Sequence, residues 1–260
     1  MSDAAPPPEE AGSEGWLQER LDRIERLVEP GMRLTEKAEE LLAPAWQRVT
    51  QGEPRWQVSL AVLGAIVLQL TLPYRLSVHP RYVLPAVEVL LLVALIVANP
   101  RRIDRESSLL RTGSMGVIAL ISIGNASSAA RLVIGLVQAT ETEDATKLLL
   151  YGGAIWLTNV LVFALWYWEL DRGGPVTRML GARKHPDFLF AQMASPEVAP
   201  EDWEPMFLDY FYLSFTNATA FSPTDTLPLT RWAKMLMLLQ SAVSLATVAL
   251  VIARAVNILK

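Results

Sequence analysis

The chain has 260 residues, of which 52 % are hydrophobic and 19 % charged, with a formal net charge of −4 and no cysteine. The missing cysteines exclude a disulfide framework, a thiol nucleophile and Cys-based metal or iron–sulfur sites, and the acidic balance leaves nucleic-acid binding without an electrostatic basis. Several apolar runs approach or exceed the ~20 residues that cross hydrocarbon, which points to an all-α integral membrane bundle with about five transmembrane helices.

Residues 1–14, with Ala-Ala-Pro-Pro-Pro-Glu-Glu and Gly-Ser-Glu-Gly, have the composition of a disordered tail. From residue 15 to 52, Leu17, Leu21, Ile24 and Val28 recur at spacings of four, three and four among charges. This predicts an amphipathic helical arm, which either brings subunits together or lies on the membrane or on its own loops. No apolar segment begins near Met1, so the first membrane helix is expected to act as the targeting signal.

Membrane helices are expected over 56–73, 82–99, 114–139 and 147–170. The short connection Tyr74–Arg81 makes the first two an antiparallel pair. Glu88 and Arg131 are the intramembrane charges. Such groups are costly in hydrocarbon and face protein or water. They read either as ion or proton handling or as interhelical glue, and each is the other's natural partner. Near the end of the fourth helix stand Glu169 and Asp171, followed by Gly-Gly-Pro175. Two residues apart on a helix, these carboxylates diverge. Pairing with Arg172, Arg178 or Arg183 is expected there, not a metal. Residues 171–202 read as a polar connection, with the apolar piece Asp187–Met193 lying at the membrane interface. Both histidines, His79 and His185, fall in loops, and no nucleotide loop, zinc motif or serine-nucleophile motif is present. The reading is therefore of a non-enzyme without cofactor or metal. Asn125-Ala-Ser127 and Asn217-Ala-Thr219 match the glycosylation triplet but lie in membrane segments.

Residues 203–259 hold a short aromatic helix, a Ser/Thr/Pro turn and a long apolar helix, the parts of a re-entrant pore loop. The core is Tyr212-Leu-Ser214-Phe215-Thr216-Asn217-Ala-Thr219-Ala-Phe-Ser222-Pro223-Thr224-Asp225-Thr-Leu-Pro228. It resembles the pore of the tetrameric potassium-channel superfamily over about a quarter of the chain. Tyr212, Ser214 and Phe215 match the pore helix, Thr219 the first filter threonine, Asp225 the acid behind the filter and Pro228 the following proline. The block is also similar to one carried by a group of uncharacterised bacterial multi-pass membrane proteins. The resemblance implies a homotetramer, with Thr216, Asn217, Thr219, Ser222, Pro223, Thr224 and Asp225 as the filter-like loop. The departure is at the filter glycines, replaced by Ser222 and Thr224 around Pro223. Without their backbone freedom, the carbonyl rings that strip potassium of water are not expected. Hydroxyls and one carboxylate suit a weakly selective path for monovalent cations, or a pore fold that no longer conducts.

In the last helix Gln240, Ser244, Thr247, Val251 and Arg254 form a mostly polar stripe at spacings of four, three, four and three. It is expected to line a water-filled path or to pack against neighbouring subunits, although Arg254 would repel cations at a pore mouth. The bias of Arg and Lys predicts a multi-pass protein of the cell (inner) membrane with its N-terminus and pore loop on the cytoplasmic side. The alternative function is a non-conducting membrane scaffold whose N-terminal arm recruits a partner.

Overall fold

The computed structural model describes residues 44–103, 107–138, 144–220 and 225–259. The tail 1–14, most of the arm 15–52 and the loop residues Ser222, Pro223 and Thr224 lie outside the described residues. Six helices make the frame: α1 Arg55–Thr71, α2 Val83–Ala98, α3 Ser108–Val137, α4 Ala145–Leu170, α5 Phe207–Ala220 and α6 Arg231–Leu259. Helix α3, helix α4 with its extension to Gly173, and α6 as far as Ile258 have 30, 29 and 28 residues of apolar composition. At 1.5 Å per residue each exceeds the ~30 Å of a hydrocarbon core. The chain is thus a mostly helical, membrane-embedded bundle. Helices α1 and α2 are apolar too, but have only 17 and 16 residues.

Two boundaries differ from expectation, and local capping explains both. Helix α3 begins at Ser108, six residues before the expected Ser114, because the Ser107 hydroxyl accepts from the Leu110 amide at 3.1 Å. Arg111 and Gly113 are therefore helical. Helix α4 begins at Ala145 because Asp144 accepts from the Lys147 amide at 2.8 Å.

Helix α4 is the centre, packed on α1, α3, α5 and α6. Ile155, Val160, Ala164 and Leu165 on it are fully enclosed. Its contact with α6 is close because Gly152 has no side chain: a Cβ there would lie 2.8 Å from the Val251 methyls.

The expected polar connection 171–202 is folded: residues 171–175, Arg178, Asp187, Phe188, Phe190 and Met193 are buried, while residues 182–185 and Pro196–Val198 are exposed. After α4 come a 3₁₀ turn at Asp171–Gly173, a one-turn helix at Pro175–Met179 and a two-residue strand β1, Phe188–Leu189. Strand β1 pairs antiparallel with β2, Leu227–Pro228, just before α6. The reversal after α4 uses left-handed backbone at Arg172, Gly173 and Gly174 (φ 50°, 85° and 103°), a conformation that glycine adopts without steric cost. The piece Asp187–Met193 contributes three side chains to the core. Phe188, Phe190 and Met193 are buried, and Phe190 meets the Tyr210 ring edge-on at 5.3 Å.

Candidate functional site

Helix α5 is held at both ends and in the middle. At its start Asp209 accepts from the Met206 amide at 2.8 Å, an N-terminal cap. One turn on, the Tyr210 hydroxyl donates to Asp171 Oδ2 at 2.6 Å. Ser214 donates to the Val160 carbonyl of α4 at 2.7 Å. Near its far end, Ser244 of α6 donates to the Ala218 carbonyl at 2.6 Å, and Trp156 of α4 donates to Ser244 at 2.8 Å. After the loop the chain returns to where it began: β2 lies on β1, and the Leu229 amide donates to the Asp187 carbonyl at 2.8 Å.

Gln240 is the hub that joins α4, α5 and α6. Its amide nitrogen donates to the Ser214 carbonyl at 2.9 Å and to the Ser214 hydroxyl at 2.6 Å. Its oxygen accepts from the Tyr167 hydroxyl at 2.6 Å and from the Asn217 amide at 2.8 Å. Asn217 also donates to the Met237 carbonyl at 3.0 Å, and its oxygen accepts from Ser241 at 3.1 Å. Two donors and two acceptors on Gln240 are thus all used, as a buried amide requires.

The structure therefore brings Asn217, Gln240 and Ser244 together inside one chain. Thr247 and Val251 are buried along the same line, and Thr247 returns its hydroxyl to the Val243 carbonyl at 2.8 Å. Arg254 lies half-buried near the end of α6. The polar stripe is thus the inward face of α6; the outward face carries Met235, Leu238, Leu245, Ile252 and Val256. Thr216 and Thr219 sit on the other side of α5 from Asn217. Thr219 is exposed, and both hydroxyls donate to carbonyls of their own helix, Tyr212 and Phe215, at 3.0 and 2.6 Å. Asp225 is exposed beyond the loop.

The expected Glu88–Arg131 pair does not form. Glu88 is fully buried and accepts from Gln69 of α1 at 3.5 Å. Arg131 donates instead to the Ser77 carbonyl in the connection between α1 and α2, with His79 Nδ1 at 3.5 Å. Depth is the reason. The Leu84 side chain of α2 reaches Gly124 of α3, so Arg131, seven residues further along α3, lies about 10 Å beyond that level.

A second polar cluster, at the other end of α4, forms where pairing of Asp171 with the nearby arginines is expected, and Arg172 does lie against it. The Arg178 guanidinium meets Glu53 Oε1 at 2.7 Å and donates to the Trp168 and Asp171 carbonyls at 2.5 and 3.0 Å. Trp168 donates to the other Glu53 oxygen at 2.7 Å. Asp187 accepts from the Arg172 amide at 2.8 Å and from Trp232 at 3.0 Å, and its own amide donates to Asp171 at 2.9 Å. The Arg172 guanidinium lies over the Trp46 ring at 5.3 Å and 3.8 Å from Asp171. Burial would lower the proton affinity of Arg178, but the neighbouring Tyr210, Glu53 and Asp171 outweigh it and hold the guanidinium above its ordinary range. The paired Asp171 and Arg172 and the Gly-Gly-Pro stop were the legible signals; the part played by Glu53, 125 residues from Arg178, had none. Among the described residues no three His, Asp or Glu side chains are grouped to hold a metal ion. The chain matches no protein-family model, no curated protein and no solved structure.

Proposed function

We propose that the chain is a five-span membrane protein built on a pore-loop frame, in which copies assemble around the segment Thr216–Asp225 to form a weakly selective path for monovalent cations. The observation that carries this reading is the path of α5. Its 14 residues extend about 21 Å, too short to cross a bilayer. The segment leaves the Asp171–Asp187 cluster at Tyr210 and returns to it at Leu229, which is how a re-entrant element behaves. Helices α1 and α2 supply the two shorter crossings. The ion path runs along the outer face of α5, past Thr216 and Thr219, to Asp225. Gln240 and Ser244 support that element from behind. Replacement of the filter glycines by Ser222 and Thr224 excludes potassium selectivity of the carbonyl-ring type. The Arg and Lys bias favours a cytoplasmic N-terminus in the cell membrane.

A second reading, a non-conducting scaffold that recruits a partner through the N-terminal arm, is favoured by one observation. The hydrogen-bonding groups of Asn217, Gln240 and Ser244 are satisfied within a single chain, so the frame needs no neighbouring copy. Purified protein in liposomes separates the two. The channel reading expects cation flux that falls in Thr219→Ala and Asp225→Asn, from a symmetric oligomer. A monomeric particle without flux of any common ion overturns it in favour of the scaffold.

A further inference from the structure

At the end of the bundle where α1 and α3 begin and α2 and α4 end lies an open-mouthed cavity between these helices. Its inner wall is apolar, formed by Val62, Leu95, Val117, Ile118 and Leu165. Its rim is polar and includes Arg55, Asn99, Arg111 and Glu169. Such a split between rim and wall matches an amphiphile, with a polar head at the helix ends and an apolar tail along the hydrocarbon-level surface.

The rim states which head it lacks. Arg55 is 9 % exposed, and its Nε–H has no acceptor. Among the described residues the ion pairs join Lys147 to Asp144, Arg172 to Asp171 and Arg178 to Glu53, and Arg55 takes part in none. A buried guanidinium without an anion is costly. Asn99, 4 % exposed, carries a buried Oδ1 with no donor. Glu169 does not answer Arg55: it accepts from Ser114 at 2.8 Å and interacts electrostatically with Arg178 and Arg111. The cavity therefore combines a cation wanting an anion, an acceptor wanting a donor and an apolar wall.

We infer that this cavity binds a membrane phospholipid, with Arg55 on the phosphate, Asn99 accepting from a hydroxyl or ammonium of the head, and one acyl chain against Val62, Val117 and Leu165. Guanidinium suits phosphate because it offers several donors in one plane, and basic pockets between membrane helices are where lipid heads are held. The inference is independent of whether the protein conducts.

The test is native mass spectrometry of the full chain in detergent, titrated separately with phosphatidylglycerol, phosphatidylcholine and diacylglycerol. Expected is retention of phosphatidylglycerol at least tenfold tighter than diacylglycerol, which lacks the phosphate, and tighter than phosphatidylcholine, which lacks the donor. Arg55→Gln reduces that affinity at least fivefold. Because Arg55 is buried, two milder variants keep the test independent of its folding: the cavity-filling Ser59→Phe weakens lipid retention, and Gly153→Ala, away from the cavity, leaves it unchanged. Equal retention of phosphatidylglycerol and diacylglycerol, or unchanged retention in both Arg55→Gln and Ser59→Phe, overturns the inference. Displacement of the lipid by soluble glycerol phosphate at equal concentration also overturns it, since the site would then serve a free phosphate ester.

Discussion

Asn217 of α5 donates its side-chain amide to the side-chain oxygen of Gln240 in α6 at 2.8 Å, with both residues enclosed inside one chain. One of these residues belongs to the filter-like block and the other to the stripe expected along a pore. Their bond shows that the stripe braces the loop-bearing helix from within, and it sets the first test.

Gln240→Leu removes four bonds and leaves the buried Tyr167 hydroxyl without its acceptor, whereas Ser214 keeps the Val160 carbonyl and Asn217 the Met237 carbonyl. Interhelical bonds in membrane proteins contribute about 0.6 kcal/mol each, and stranded buried groups about 1–3 kcal/mol. A net loss of about 2–3 kcal/mol is expected, measured as a shifted denaturation midpoint in detergent. Thr219→Ala, whose hydroxyl only returns to its own helix, is expected to change stability by less than about 0.5 kcal/mol.

The Glu53–Arg178 pair is buried on both sides. Removing one partner leaves the other charge without compensation, which costs about 3–5 kcal/mol. Arg178→Met and Glu53→Leu should therefore each be severely destabilised, whereas the double variant recovers part of the loss. A thermal-melt double-mutant cycle measures this coupling; simple additivity would refute the pair's role as a lock.

Neighbouring glycines on α4 should differ sharply. A Cβ at Gly152 would press on Val251 at 2.8 Å, while one at Gly153 meets nothing within 4 Å. Gly152→Ala is expected to cost about 1–3 kcal/mol through overpacking at α6, and Gly153→Ala to be neutral. Equal melting temperatures for the two variants would contradict the α4–α6 contact.

Glu204, next to the charge cluster, supplies a pH test. Burial raises its carboxyl above the ordinary range, and the Glu53 charge adds to this. A raised acid keeps its proton in the folded chain at pH values where the unfolded chain, titrating near about 4.3, has lost it. Its stabilising share is therefore present below that unfolded value and is lost as pH rises through the folded one. Glu204→Gln removes this dependence. The stability difference, wild type minus variant, should fall on going from pH 4 to pH 8, as followed by thermal unfolding; a flat difference would show that Glu204 is not perturbed.

The apolar helices and their approximate limits were legible because long apolar runs mark themselves whatever their neighbours, and three of them are long enough to cross a bilayer. Where the limits moved, as at Ser107 and Asp144, the caps are local residues that a sequence displays. The polar residues were a different matter. Spacing placed Gln240, Ser244 and Thr247 on one face of α6 but could not say whether that face meets water, another copy or α4. Spacing also offered Glu88 to Arg131, which only the relative depth of α2 and α3 rules out. The apolar Phe188-Leu-Phe190 read as an interfacial piece, and nothing in its spacing announced that Phe188 and Phe190 are buried in the core.

Residue order alone carried the helical character of the protein, its membrane-grade apolarity and the short aromatic helix ahead of its last long one. Tertiary structure alone decided which polar groups meet: Asn217 with Gln240, Glu53 with Arg178, Tyr210 with Asp171. The physical reason is that hydrophobic burial is a property of each segment, whereas a buried hydrogen bond or ion pair needs two groups from different segments within about 3 Å of each other, and nothing in one segment records where the other arrives.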